Sequence, residues 1–228
     1  MPRAYPCYPY VEPIAADISG EEIAQMVDDM LSQTPGMSLR DGGPLDKLAR
    51  ALNVDVEYSE RPNDVLLDVP LGRHPVIWLP HTGRTRQDRV TLATGLGHWL
   101  LHIPITRELH PGVGIQALYH PKDDTALLEA RRFAQELLMP QETFKTLWFE
   151  GKAQNVAETL NVPTQAVYDR AKLLDLTQPA EAEQSFGADE DEDPFTPAAP
   201  EQEPEPAKPV EHAAPTPSFG GYARRIGS

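Results

Sequence analysis

Cysteine is nearly absent. Cys7 is the single one in 228 residues, which excludes an intramolecular disulfide and fits a cytoplasmic setting. Long apolar runs are missing too. Nothing approaches the roughly 20 consecutive apolar residues of a transmembrane helix. Residues 1–13, rich in Pro and Tyr, have neither the apolar core of a signal peptide nor an anchor. Basic residues are outnumbered, 20 Lys and Arg against 35 Asp and Glu, for a net charge of −15. That balance argues against non-specific binding to nucleic acid. No internal repeat is present.

What is there divides unevenly. Hydrophobic residues make up 40% of the chain, enough for one core, but the last 51 residues contribute little to it. Segments such as Ala188-Asp189-Glu190-Asp191-Glu192-Asp193 have almost nothing to bury and cannot offset their chain entropy. Residues 178–228 alone carry −8 of the −15. The expected organisation is a flexible N-terminus over 1–13, one folded domain over 14–176, and a disordered, acidic, Pro-rich tail over 177–228.

Within the domain, Ser19 followed by Glu21 and Glu22 reads as an N-cap with acids in the first turn. Ile23, Met26, Val27, Met30 and Leu31 then keep helical spacing to about Ser32, and Thr34-Pro35-Gly36 stops them. Pro44 opens a short helix with Leu45, Leu48, Ala49 and Leu52 on one face, ending near Asn53. Val54–Tyr58, Val65–Val69 and Val76–Leu79 read as strands, separated by turn residues at 61–64 and 72–75. Gly114–Tyr119 is a further strand candidate. Long helices are expected over 86–102, ended by Pro104, and over 123–138. Shorter ones are expected over 141–149, 153–160 and 164–174. The class is α+β, a small antiparallel sheet packed by helices.

The central segment Arg89-Val90-Thr91-Leu92-Ala93-Thr94-Gly95-Leu96-Gly97-His98-Trp99-Leu100-Leu101-His102 resembles the zinc helix of the ImmA/IrrE family, close to R-F-T-L-A-H-E-L-G-H-x-L-L-H. The later segment Glu129-Ala130-Arg131-Arg132-Phe133-Ala134-Gln135-Glu136-Leu137-Leu138-Met139-Pro140 is similar to that family's E-A-N-x-F-A-x-E-L-L-M-P. Leu45–Val54 resembles its early helix and first strand. The likeness covers about residues 23–176 and implies a zincin-like metallopeptidase domain. In such a site two His four residues apart share one helix face and bind zinc. A carboxylate from a second helix completes the protein ligands, leaving one position for water. The Glu after the first His takes the proton of that water.

Two of the four positions have changed. Thr94 stands at the first His and Gly95 at the general base, which leaves His98 and Glu129 as residual ligands. A Thr hydroxyl binds zinc poorly at neutral pH, and Gly95 has no side chain. No catalytic residue is therefore expected, and no cofactor, with zinc only if the residual site functions. His102 restores an i, i+4 pair with His98, so a displaced site using Glu129 would lie ~6 Å further along the helix. The double substitution Thr94→His with Gly95→Glu is expected to rebuild the tetrahedral site.

Other features carry weaker signals. His74, His81, His110 and His120 lie in loop-like contexts as ordinary surface residues. Residues 153–176 resemble a helix-turn-helix, in which Gln165, Tyr168, Arg170 and Lys172 would face DNA. Asp169, Asp175 and the acidic tail oppose that, so direct DNA contact is not expected. Phe219-Gly220-Gly221-Tyr222-Ala223-Arg224-Arg225-Ile226 could be a docking peptide or simply a chain end. The resemblance implies an inactive regulatory domain with a protein partner, such as a helix-turn-helix repressor in a phage or mobile element. The competing expectations are an active zinc endopeptidase with a rearranged site, and DNA binding through the C-terminal helix pair. No membrane association is expected.

Overall fold

The computed structural model describes residues 8–33, 43–59, 64–81 and 83–176. The expected tail, the C-terminal Phe219–Ile226 segment and the turns at 34–36 and 61–63 lie outside these residues. The elements in chain order are β1 (Tyr10–Val11), α1 (Gly20–Ser32), α2 (Asp46–Ala51), β2 (Asp55–Ser59), β3 (Val65–Val69), β4 (Val76–Pro80) and α3 (Thr85–Gly97). A π-helical turn (His98–His102) follows, then α4 (Ile103–Leu109), β5 (Gly114–Leu118), α5 (Thr125–Leu138), α6 (Gln141–Glu150), α7 (Ala153–Leu160) and α8 (Thr164–Leu173). No described helix is long and apolar enough to cross a membrane.

The α+β class holds, but the sheet is mixed rather than antiparallel. Its order is β1-β5-β3-β4-β2. β3 pairs antiparallel with β4 and β5, whereas β2 lies parallel to β4 and β1 parallel to β5. Burial explains the arrangement. Every residue of β3 is buried, so it takes the centre, and its hairpin to β4 turns through Gly72 at φ 68°. β2 is half exposed along its length and suits an edge, so it joins the far side of β4.

The helix starts follow local chemistry. Ser19 caps α1 in a full capping box with Glu22, as the sequence suggests. Asn53 and Asn161 take left-handed conformations just after α2 and α7, the usual way a helix is stopped. Pro104 does not end the central helix. The N–H of Ile103 bonds the carbonyl of His98, five residues back, and α4 continues with the proline in its first turn. There the missing proline N–H costs little, and the widened turn before it relieves the ring's clash with the preceding carbonyls.

Two close approaches wedge α3 into the core. A Cβ at Gly97 would fall 2.8 Å from the Ala130 carbonyl oxygen, so only glycine lets α3 lie this near α5. On the opposite side, a Cβ at Gly95 would meet the side chain of Ile77 on β4 at 2.9 Å. The N-terminal residues from Tyr8 are fastened rather than loose. Tyr8 bonds Asp68, Tyr10 and Val11 pair with Gly114 and Ile115, and the Lys122 N–H donates to Glu12 at 3.2 Å.

Candidate metal centre

Because α3 and α5 touch at Gly97 and Ala130, Glu129 is carried to the side of the π turn. His98 and His102 project from that turn with exposures of 2% and 0%. Their rings meet through Nδ1 atoms 3.1 Å apart, and His102 Nε2 lies 2.8 Å from Glu129 Oε2. The same oxygen accepts the backbone N–H of Ala16 at 2.8 Å. Beside this, the N–H of Ile14 donates to the Thr106 hydroxyl at 2.9 Å.

Donor and acceptor matching fixes the protons along the chain. A carboxylate only accepts, so His102 donates through Nε2–H. A neutral His102 then offers Nδ1 as an acceptor, and His98 donates to it from its own Nδ1. That leaves the Nε2 of His98 as a bare lone pair, buried and without a hydrogen-bond partner. Burial, with repulsion from His102, holds His98 well below the ordinary imidazole value. Burial also lowers His102, while its hydrogen bond and proximity to Glu129 pull the other way. Both rings are neutral near pH 7, and the His102–Glu129 contact is a hydrogen bond to a carboxylate rather than an ion pair.

The degenerate positions are closed. Thr94 is 0% exposed, and its hydroxyl donates back to the Val90 carbonyl at 2.9 Å instead of facing a metal. The space a side chain at Gly95 would enter is held by Ile77, itself fully buried. A Gly95→Glu substitution therefore requires the Ile77 side chain to give way. Thr94→His with Gly95→Glu would rebuild a site only with repacking at this contact. The displaced set His98, His102 and Glu129 does come together. However, both nitrogens of His102 are already hydrogen-bonded, and Glu129 has accepted two donors on one oxygen. Among the described residues no group of three or more His, Cys, Asp or Glu side chains is placed to hold a metal ion. At the two changed positions, then, neither an imidazole nor a carboxylate faces the site.

The remaining predicted residues divide. His74, His81 and His120 are exposed and His110 is half buried, so none joins the site. In the C-terminal pair, Arg170 does not face solvent, contrary to its helix-turn-helix assignment. It is 0% exposed and grips Glu136 with both terminal nitrogens, at 2.9 and 2.5 Å, and the Met139 carbonyl with Nε at 3.1 Å. Tyr168 stands edge-on to Trp148, and Gln165 bonds Asp169. The α8 surface that would read DNA thus loses its one deeply anchored cation to the core. Sequence reasoning missed Ala16, Thr106 and Ile77. Ala16 acts through its backbone, which no side-chain pattern reveals, and Ile77 is an ordinary inward position on a strand.

The family model for the IrrE N-terminal-like domain, Peptidase_M78, matches residues 49–172. No curated protein matches the chain.

Proposed function

The chain belongs to the IrrE N-terminal-like family, and from that premise we propose that it is a non-catalytic member serving as a regulatory protein-binding module. The observation that carries this reading is the closure of both lost positions. Thr94 is turned onto its own helix, and Ile77 fills the place of the general base. A peptidase needs an open metal position and a proton acceptor beside it, and neither can be assembled from these residues as they stand. The partner we propose is a protein, in a cytoplasmic and regulatory setting. A helix-turn-helix repressor of a phage or mobile element is the candidate suggested by the family resemblance.

The convergence of His98, His102 and Glu129 favours a second reading, a zinc endopeptidase with a displaced site. Metal analysis of protein purified without chelator separates the two. The first reading expects less than stoichiometric zinc and no cleavage of candidate partners. Stoichiometric zinc that survives dialysis, and is lost in His98→Ala and Glu129→Ala, would establish the second. Affinity capture from the native source should retain a specific protein on the wild-type chain, and its absence would count against the binding role.

A further inference from the structure

The segment from Tyr8 to Ser19 lies across the closed site, yet no residue in it is fully buried. Much of its hold comes from contacts that any extended backbone could make. β1 contributes two residue pairs to the edge of β5, at Gly114 and Ile115. Beyond the ladder, the N–H groups of Ile14 and Ala16 go to side-chain acceptors, Thr106 and Glu129. Val11 and Ile18 also pack against the core, Glu12 accepts the Lys122 N–H, and the deepest-reaching anchor is Tyr8. Its hydroxyl reaches the buried Asp68, and its ring sits where a Cβ at Gly114 would collide with it. The segment then passes into α1 through Asp17, which holds a left-handed φ of 54°.

We propose that residues 8–17 are a displaceable strap occupying a strand-docking groove, and that a partner enters by laying an extended segment parallel to β5 in the strap's place. The groove is formed by the edge of β5 that β1 now covers, with Thr106 and Glu129 as fixed acceptors. These take backbone N–H groups without regard to sequence, so affinity comes from main-chain pairing. Specificity comes from the aromatic hydroxyl seat at Asp68 and Gln116, whose side-chain amide already bonds Asp68 at 3.0 Å. The occupant is thus an extended polypeptide carrying a tyrosine ahead of its pairing residues. The short ladder makes the exchange feasible, since a two-residue strand protects an edge without filling it. Asp17 supplies the turn about which the strap would leave. This deepens the partner-binding reading and rests on it only for the source of the strand. The strap's release is a property of this chain alone.

The test uses the full-length chain with Tyr8→Ala and Ala16→Pro, which weaken the strap and leave the groove intact. The probe is a labelled peptide of the chain's own residues 8–18. Affinity for an outside strand falls in proportion to the fraction of molecules with the groove open, so the variant should bind about tenfold tighter than wild type or better. Adding Glu129→Ala or Thr106→Val to the variant should remove the gain. Hydrogen exchange on unaltered protein gives an independent reading. The amides of Ile14 and Ala16 should exchange well before those of Ile115 and Ala117. Strap amides as slow as the sheet, or an open strap that still leaves the peptide unbound, would overturn the proposal. A wild-type dimer whose strap amides are protected across the two copies would give the groove to a second chain and overturn it as well. Failure to capture a native partner, with the exchange and peptide results intact, would count against the partner-binding reading and not against the strap.

Discussion

Glu129 and Glu136 stand two turns apart on α5, and the two carboxylates are satisfied in opposite ways. Glu136 lies between two guanidiniums, Arg170 at 2.9 and 2.5 Å and Arg132 at 2.9 Å. Glu129 accepts instead from a neutral imidazole and a backbone N–H. One end of the helix is a charged lock that fastens the C-terminal helix pair. The other is a clip of neutral donors over the N-terminal strap. The family resemblance names Glu129 as a zinc ligand, so two N–H dipoles now stand where that resemblance places a dication.

The largest effect should come from the lock. Glu136→Ala leaves Arg170 buried with an uncompensated charge, and removing one partner of such a pair costs about 3–5 kcal/mol. Urea unfolding measures it directly. A loss no greater than that of Glu129→Ala would erase the distinction between the two ends.

Next is the attempt to return a cation to Glu129. Thr94→His with Gly95→Glu forces a side chain against Ile77, and overpacking of this kind costs about 1–3 kcal/mol. The roughly 1 kcal/mol that a glycine concedes in a helix offsets only part of this. Zinc should leave the melting temperature of the double variant unchanged, whereas adding Ile77→Ala should recover part of the stability. A zinc-dependent rise in melting temperature without that relief would show that Glu129 is open to metal after all.

Glu129→Ala should cost about 1–2 kcal/mol, the loss of hydrogen bonds that leaves a buried imidazole N–H unsatisfied. The signature should be local, with faster exchange at Ile14 and Ala16 and little change in the sheet. Smaller again is the pH effect. Both imidazoles titrate lower in the folded chain than in the unfolded one. Below an unfolded value near 6.5 the unfolded chain therefore holds more protons, and stability falls as pH drops through that region. The fall should be about 1 kcal/mol between pH 7 and pH 6, and it should shrink in His98→Leu.

Much of the framework was legible from residues that act locally. Ser19 with Glu22 marks the start of α1, and Asn53 marks the end of α2. The apolar runs Val65–Val69 and Val76–Leu79 locate strands that the structure extends by a residue at most. What failed depended on long-range choices. The parallel pairing of β2 with β4 is decided by which strand is buried deepest, and Pro104 looked like a stop because a widened turn has no sequence mark. At the site, Thr94, Gly95, His98 and Glu129 are marked by the family resemblance of their two segments. The closure is not, because Ile77 and the N–H of Ala16 arrive from elsewhere in the chain.

The widened turn at His98–His102 sets a phase. A hydrogen bond reaching back five residues instead of four accommodates one residue more than an ordinary turn. Successive residues of an α-helix are separated by about 100° of rotation, so everything after the turn is indexed by that extra residue. Thr106 faces Ile14, and Arg107 reaches the Val113 and Val69 carbonyls at 2.6 and 3.3 Å, because α4 starts from this offset. Winding these same residues regularly, without the wide turn, would turn α4 about its axis by roughly 100°. The helix would survive, but the acceptor under the strap and the arginine tie to the sheet would point elsewhere. The turn works as a gear tooth, and the strap's seat depends on the count being kept.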